Sequence, residues 1–517
     1  MKKRILSALV VAALAFTGCE NDDDTTQPVV DTTVNFTYLA SVDLGGEAAA
    51  EISAYDPQTQ RLFVTNSEKN GVSVVDLSDP ANPVLLEASF LAVGTVNSVA
   101  VKDGKLAIAI ENAVKQNNGK IAVYNTADLS LDAEYTVGAL PDMVTFTPDG
   151  NYILVANEGE PNDAYTVDPE GSVSVIDLAT GTVRNAGFSA FSGQQASLEA
   201  EGFRIFGPGA SFTQDIEPEY IAVSDDSATA WITLQENNGI AKLDIATASI
   251  TDIYPLGFKD FSQSGNMLDA SNRDDVDELK NWPVFGIYMP DAISHFTANG
   301  MSYLITANEG DSRDYDGYSE EERIKDITLD PNAFAAFDIA MLQENENLGR
   351  LKITTANGDT NGDGNFDALY SYGARSFSIW DTNGTLVYDS GDDIARKNLE
   401  FAPQYFNLDN EDNATNLQDG EKDGRSDDKG AEPESTAILD IAGERQIAII
   451  GLERVSALMV YDVTNPAAPV FLQWLQRDTD VAPEGLITVS REDSPNGKDI
   501  IIAAHEASGT VSIYQNN

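Results

Sequence analysis

The segment Glu217 to Asp244, EPEYIAVSDDSATAWITLQENNGIAKLD, reads as three short strands. An apolar run follows an acidic start and turns at Asp225-Asp226. A second run ends in Gln235-Glu236, and a third follows a tight Asn-Asn-Gly turn. Short apolar or alternating runs punctuated by Asn, Asp and Gly are the signature of antiparallel hairpins. The unit recurs, and a strand unit repeated along a chain limits the available folds more than any other feature of this sequence.

Six further copies are legible. They pair AEISAYD with LFVTNSEKNGVSVVD, VNSVAV with LAIAIENAVKQNNGKIAVYN, and LPDMVTFTPDG with YILVANEGE and GSVSVID. The later three pair MPDAISHF with YLITANEGD, AEPESTAILDI with IAIIGLERVSALMVYD, and VAPEGLITVS with IIIAAHEASGTVSIY. A Glu closes the second strand of every copy: Glu68, Glu111, Glu158, Glu236, Glu309, Glu453 and Glu506. An acid opens the first strand in six: Glu51, Asp142, Glu219, Asp291, Glu434 and Glu484, with Asn97 in the second copy. Seven units of three or four strands, without helical periodicity between them, predict an all-β, seven-bladed β-propeller of the YVTN or WD40 kind. The last copy lacks an outer strand, and Phe36 to Leu44 (FTYLASVDL) has no unit of its own. That segment is expected to supply the missing strand and remove the open edges.

Residues 1–18 carry a basic start (Lys2, Lys3, Arg4) and an apolar stretch too short to span a bilayer, and read as a signal peptide. Cys19, the single cysteine, follows Gly18 and resembles a bacterial lipobox, although Phe16 departs from the usual first position. The resemblance implies lipidation of Cys19 and an envelope location, with an ordinary secreted protein as the alternative. Residues 19–33 are acidic and polar and read as a tether. The propeller then spans 34–517, and the membrane is contacted only through the lipid.

The net charge is -53, from 84 acidic and 31 basic residues. Such a surface repels phosphate backbones, so nucleic acid is not an expected partner. Solubility is one reading of the charge and carboxylates that hold divalent cations are another, and the two are compatible. Three stretches exceed a minimal blade: Gly187 to Asp215, Lys259 to Pro283, and an insertion in blade five from about 310 to 431. Asp274 to Leu279 has the composition of a short helix, and Glu320 to Gly349 reads as one or two helices. LGRLKIT and SFSIWDTNGTLVYD are expected to form the outer part of blade five, and Asp389 to Lys429 a long polar loop.

The start of a first strand and the end of a second lie at the same face of a propeller, so the paired acids should ring one mouth of the channel. A ring of carboxylates repels itself unless cations or hydrogen bonds compensate. The candidate metal ligands are Glu158, Glu160, Asp163, Glu219, Glu236, Asp291, Glu309, Asp311, Glu434, Glu453, Glu484 and Glu506. Oxygen-only donors of this kind suit calcium, or magnesium, over zinc or copper. Equally, each repeated Glu fits a structural lock that accepts N–H groups from the next blade. Asp359, Asn361, Asp363, Asn365 and Asp367 follow the first half of an EF-hand loop, but Tyr370 stands where the twelfth-position Glu is required. The stretch therefore looks like a shorter calcium loop of the kind found in extracellular proteins, with an Asn/Asp/Gly-rich turn as the alternative. Arg313, Arg375, Lys429 and Arg454 lie beside acidic motifs, placed either to contact a phosphate or to balance charge. Two histidines cannot build a His-rich metal centre, and His505, next to Glu506, is the one candidate catalytic acid or base. No nucleophile elbow, phosphate-binding loop or dinucleotide fingerprint occurs.

The motifs ANEGEPND, QENNGIAKLDI, ANEGDSRDY, NGDTNGDGNFDALYSYGARSFSIWD and RSDDKGAEPE together resemble the choice-of-anchor I family. That family includes the mesenchyme-specific cell-surface glycoprotein group and bacterial members labelled alkaline phosphatase-like. The resemblance runs over nearly everything after residue 34 and implies a secreted or surface propeller, with the lipobox as the anchor here. It transfers no catalytic residue. Two functions follow as expectations: a surface binding or adhesion module, or a calcium- or magnesium-dependent phosphoesterase acting at the channel mouth. The partner is then a surface ligand or a phosphorylated small molecule, and the chain is expected to be a monomer.

Overall fold

A run such as Ile153-Leu154-Val155-Ala156, apolar at every position, is stable as a strand only if both of its faces are covered. The computed structural model, which describes residues 32–87, 90, 94–410 and 415–517, covers these runs with sheets on either side. Among the described residues there are seven four-stranded antiparallel sheets. Their first strands are Ser53–Asp56, Val96–Lys102, Pro141–Phe146, Pro218–Val223, Ile293–Ala298, Pro433–Ile441 and Pro483–Val489. Each of these strands packs against the first strand of the next sheet, and that of the seventh sheet against that of the first. The core follows the same order. One cluster is shared by sheets one and two around Phe63 and Ile108, and another by sheets three and four around Leu154 and Ile232. A further cluster, around Val64 and Ile502, joins sheet seven to sheet one. Second and third strands are therefore largely buried, while fourth strands lie outermost and leave residues such as Val84, Leu131 and Val470 exposed.

The seventh sheet takes its fourth strand from Phe36–Asp43, which pairs antiparallel with Thr510–Asn516. Phe36 is 2 % exposed, packs beside Leu439, Ile447 and Leu458 of sheet six, and has its backbone bracketed by the Gln473 amide (2.8 and 3.1 Å). Phe36→Ala should therefore cost about 3 kcal/mol or more, read as a shift in the denaturation midpoint. A loss below about 1 kcal/mol would show that this strand is not an integral part of the core.

The excursions differ from expectation in content. Gly187–Asp215 does lie between sheets three and four, and carries the helical turns Ser189–Gln194 and Gln195–Glu199. Asp274 to Leu279 forms no helix, because Asp269 caps that loop through the Glu278 N–H instead (2.9 Å). Glu320 to Gly349 holds only the turns Ile324–Asp326 and Ile339–Leu342. Lys352–Thr354 pairs with Glu321–Arg323 in a separate ribbon, whereas Ser376–Asp381 and Leu386–Asp389 are the third and fourth strands of sheet five. The insertion is thus two excursions on either side of those strands. The second, expected to be a loop, contains the helix Asp393–Phe401, which buries Ile394 and Asn398. Among the described residues no helix is long and apolar enough to cross a membrane, and Cys19 lies outside them.

Candidate functional site

Four first strands begin with Pro followed by an acid, Pro141-Asp142, Pro218-Glu219, Pro433-Glu434 and Pro483-Glu484, and in sheet five Pro290-Asp291 stands just before the strand. In sheets three, four, six and seven the register slips immediately after the Pro, so the acid is the first residue of a β-bulge. A bulge re-aims a side chain out of the pleat, here toward the common end of the sheets. The other half of each pair lies one residue past the second strand. Glu158, Glu453 and Glu506 donate their N–H to the carbonyls of Leu140, Glu432 and Ala482 (2.8–2.9 Å), which fixes their position beside the bulge. In sheets one and four this position belongs to Ser67 and Gln235. Glu68 and Glu236, expected there, stand one residue beyond.

The acids meet in a cavity of about 510 Å³ whose lining includes Glu51, Asp142, Glu309, Asp311, Glu434, Glu453, Glu484 and Glu506. Lys429 and Arg454 line it too. Glu309, Glu434 and Glu453 each offer an oxygen within 4.8 Å of the others, the sole such trio of His, Cys or acidic groups among the described residues. Burial pushes Glu453 up to about 8, Arg454 opposing and Glu432 adding to the rise. Burial and then Glu309 hold both Asp291 and Glu434 well above the usual carboxylate range, and their carboxyls hydrogen-bond each other. Glu51 is pushed to about 7 by burial, although the Ser67 hydroxyl (2.6 Å) opposes the shift. Burial and then Glu506 raise Glu484. Oε2 of Glu434 is buried with no hydrogen-bond partner.

Glu158, Glu160, Glu219 and Glu236 form the other arc of the acidic end. Burial and their mutual repulsion raise Glu158 and Glu219 well above the usual range, and burial brings Glu236 to about 7. Glu160 is held by Lys115 (3.4 Å) and the Tyr315 hydroxyl (3.2 Å). Asp163 is exposed and meets its neighbours through its backbone carbonyl, which accepts from Gly317 (2.7 Å). The loop from Asp359 to Asp367 closes on itself. Asp359 accepts the N–H of Gly362 (2.8 Å) and Gly364 (2.9 Å), Asn361 accepts from Asp363 and Asp363 from Asn365 (both 2.9 Å), and Asp367 accepts from Thr360 (3.0 Å).

Three expected contacts are placed otherwise. Arg313 is fully buried, ion-paired to Asp215 and to Glu217 (3.1 Å) under the Phe206 ring, so its guanidinium serves the fold rather than a phosphate. Arg375 staples the second excursion, donating to the carbonyls of Asp269, Ser426 and Asp428 (2.5–2.8 Å). His505 is buried with Nε2 at 2.7 Å from Ser512 Oγ and faces away from the cavity, and burial drops it to about 3. Its position is that of Asn66, Asn157 and Asn308 at the ends of other second strands, which donate to Ser73, Ser174 and Ser378 (2.8–3.0 Å). It is the seventh sheet's version of a repeated buried lock, not an acid or base.

Lys429 and Arg454 do reach the site. Lys429 Nζ is 2.5 Å from Glu309, and Arg454 Nη1 is 3.1 Å from Glu453. Both also hold Glu432, which the sequence reading passed over and which pairs with Arg425 as well. Its signal was the charge run RSDDKGAEPE, which supplies two of its three cations, Arg425 and Lys429; Arg454 comes from just past the second strand of sheet six.

The choice-of-anchor I domain model matches residues 51–466. The chain is 28 % identical over 342 residues to the mesenchyme-specific cell surface glycoprotein of Strongylocentrotus purpuratus, covering 59 % of this chain and 41 % of that protein. It thus spans well under half of that relative's length. It is 29 % identical over 194 residues to gigasin-3a of Magallana gigas, covering 34 % of this chain and 67 % of that protein. Among solved structures, the β-propeller domain of Myceliophteria thermophila Cps50 (Swd1) is similar at a TM-score of 0.46 and 8 % identity, covering 93 % and 100 % of the two chains. With its model matched over most of the sequence, the chain belongs to the choice-of-anchor I family.

Proposed function

We propose that this protein is a cell-envelope surface module: a closed seven-bladed β-propeller, lipid-anchored at Cys19, that binds divalent cations at its acidic mouth and presents that face to a surface ligand. The observation that carries the cation reading is the trio Glu309, Glu434 and Glu453. Three buried carboxyls so close together are costly when ionised, and a divalent cation relieves both the burial and the repulsion. The unpartnered Glu434 oxygen leaves a donor free, and an all-oxygen set suits calcium first and magnesium second. Lys429 is the internal counter-charge, and an arriving ion would share Glu309 with it. The surface reading is supported by the family and by the name of the sea-urchin relative.

Calorimetric titration of chelator-treated protein with calcium chloride tests this. A site lost in the Glu434→Gln, Glu453→Gln double variant but kept in Asp359→Asn is the expected result. Identical titrations for the double variant and the parent would refute a site at the mouth. Loss of heat in Asp359→Asn alone would place the ion in the loop instead.

A second reading, metal-assisted hydrolysis of a phosphate ester, is favoured by Lys429 and Arg454 lining the same cavity as the trio. Phosphomonoester, phosphodiester and phytate turnover with calcium, magnesium or chelator decides it. Metal-dependent hydrolysis lost in Glu434→Gln with folding intact supports the enzyme; no hydrolysis of any ester leaves the binding module.

A further inference from the structure

The first strands run away from the acidic cavity, and a second cavity of about 320 Å³ follows along them. Its walls are the next residues on the same strands, with Ile52, Val99, Val101, Met143, Ile487 and Val489 supplying the apolar surface. The volume lies at the lower end of the range for small-molecule sites, roughly 300 to 1,000 Å³. Ser53 lines it as well, is 4 % exposed, and its Oγ has no hydrogen-bond partner. A buried, unpaired hydroxyl in the wall of a cavity is a group waiting for a donor or acceptor from an occupant.

Tyr220 stands between the two cavities. It projects from sheet four into the lining of the second, and the Asp291, Asp142 and Glu484 carboxylates of three other sheets act on its phenol. Burial first, and those charges next, hold the phenol above its ordinary pKa. At the far end the lumen shares Pro57, Val101 and Asp493 with a wider vestibule of about 650 Å³, whose charged lining is Asp56, Asp103, Glu492 and Asp493 against Lys102. The lumen is thus walled by apolar and hydroxyl side chains together, with an acidic vestibule at one end and an aromatic ring backed by carboxyls at the other.

We propose that this lumen binds an amphipathic amine, with its apolar body along Val99, Met143 and Ile487 and its ammonium head at Tyr220, toward Asp142 and Glu484. An anion would have to pass an acidic entrance to reach an acidic floor, whereas a cation is drawn in by both. The Tyr220 ring offers a cation–π face to the head, and the apolar wall accepts a body that a bare metal ion lacks. Among the described residues neither Asp142 nor Glu484 falls in a group of three acids close enough to hold one ion. The inference does not rest on cation binding by the trio.

The test is titration of the full chain with 1-aminooctane, 1-octanol, octanoate and 1,4-diaminobutane, followed by calorimetry. Aminooctane should bind at least tenfold more tightly than octanol, with diaminobutane weaker and octanoate silent. Tyr220→Ala should weaken aminooctane about tenfold, and Val99→Phe, which fills the lumen, should abolish it. Ser53→Val should weaken it too while leaving the melting temperature unchanged or raised, since it removes an unpaired hydroxyl. Calcium titration should be unchanged in all three variants, which separates this site from the mouth. Equal binding of octanol and aminooctane would overturn recognition of the ammonium. Aminooctane binding unaffected by both Tyr220→Ala and Val99→Phe would overturn the lumen as the site.

Discussion

Chelated protein should become more stable, not less, as the pH falls from 8 to 5. Glu51, Glu236 and Glu453 are held near 7, 7 and 8 in the fold, and Asp142 near 6, in each case chiefly by burial. A carboxyl whose folded pKa is raised binds its proton more readily in the native state, so protonation favours folding. Its destabilising effect is complete above the folded value and disappears as the pH falls toward the unfolded value, near 4 to 4.5. The window therefore runs from about 8 down to about 4.5. Allowing for repulsions counted in several groups at once, the collective gain is on the order of 5 kcal/mol at about 1.4 kcal/mol per pKa unit. With an unfolding entropy of about 2.1 cal/mol/K per residue, that corresponds to a rise of roughly 5 °C. Asp149, Asp226 and Asp244, held low chiefly by hydrogen bonds, reverse the trend only at lower pH. Millimolar calcium should raise the melting temperature at pH 8 and flatten the slope, because a cation binding the native state does what the protons did. A melting temperature that falls steadily from pH 8 to 5 in chelator would contradict this account of the acidic end.

Glu432→Ala should be among the most damaging single changes near the site. Burial alone would raise this fully buried carboxyl, but Lys429, Arg425 and Arg454 outweigh it and hold the group well below its usual range. Its oxygens lie 2.7 Å from Arg425, 3.1 Å from Arg454 and 3.3 Å from Lys429. Removing one partner of a buried ionic cluster costs about 3–5 kcal/mol, since the remaining charges stay desolvated. The denaturation midpoint reads this, with Glu432→Gln intermediate. The freed Lys429 and Arg454 should then lean on Glu309 and Glu453, so calcium affinity should fall in the fraction that folds. A stability loss under about 1 kcal/mol would mean that the three cations find water or other acids without cost.

Periodicity made the strands and the shared acidic end legible. Second strands such as YILVAN and IAIIGL carry long apolar runs because sheets cover both faces, and the acids recur because the bulge recurs. The Pro before four of those acids, in sheets three, four, six and seven, was the unused signal for the bulge. Ser67 and Gln235 escaped notice because a Glu sits next to each, and a one-residue offset is invisible without the pairing register. His505 was misjudged for a related reason: only alignment of the sheets shows it in the place of a repeated Asn. The basic residues were the least legible. Arg313 and Lys429 flank similar acidic motifs, yet one is sealed against Asp215 and the other faces the cavity, a difference set by excursions distant in sequence.

The pairing of Phe36–Asp43 with Thr510–Asn516 joins partners 467 to 480 residues apart in the chain. During synthesis or export the early strand must wait for almost the whole polypeptide before it finds its place. Until then sheet seven has no outer strand and Phe36 no pocket, so the intermediate carries an unsatisfied edge and an unfilled hydrophobic socket. A chain cut short before Thr510 therefore leaves the strand Phe36–Asp43 without its partner and open to other strands.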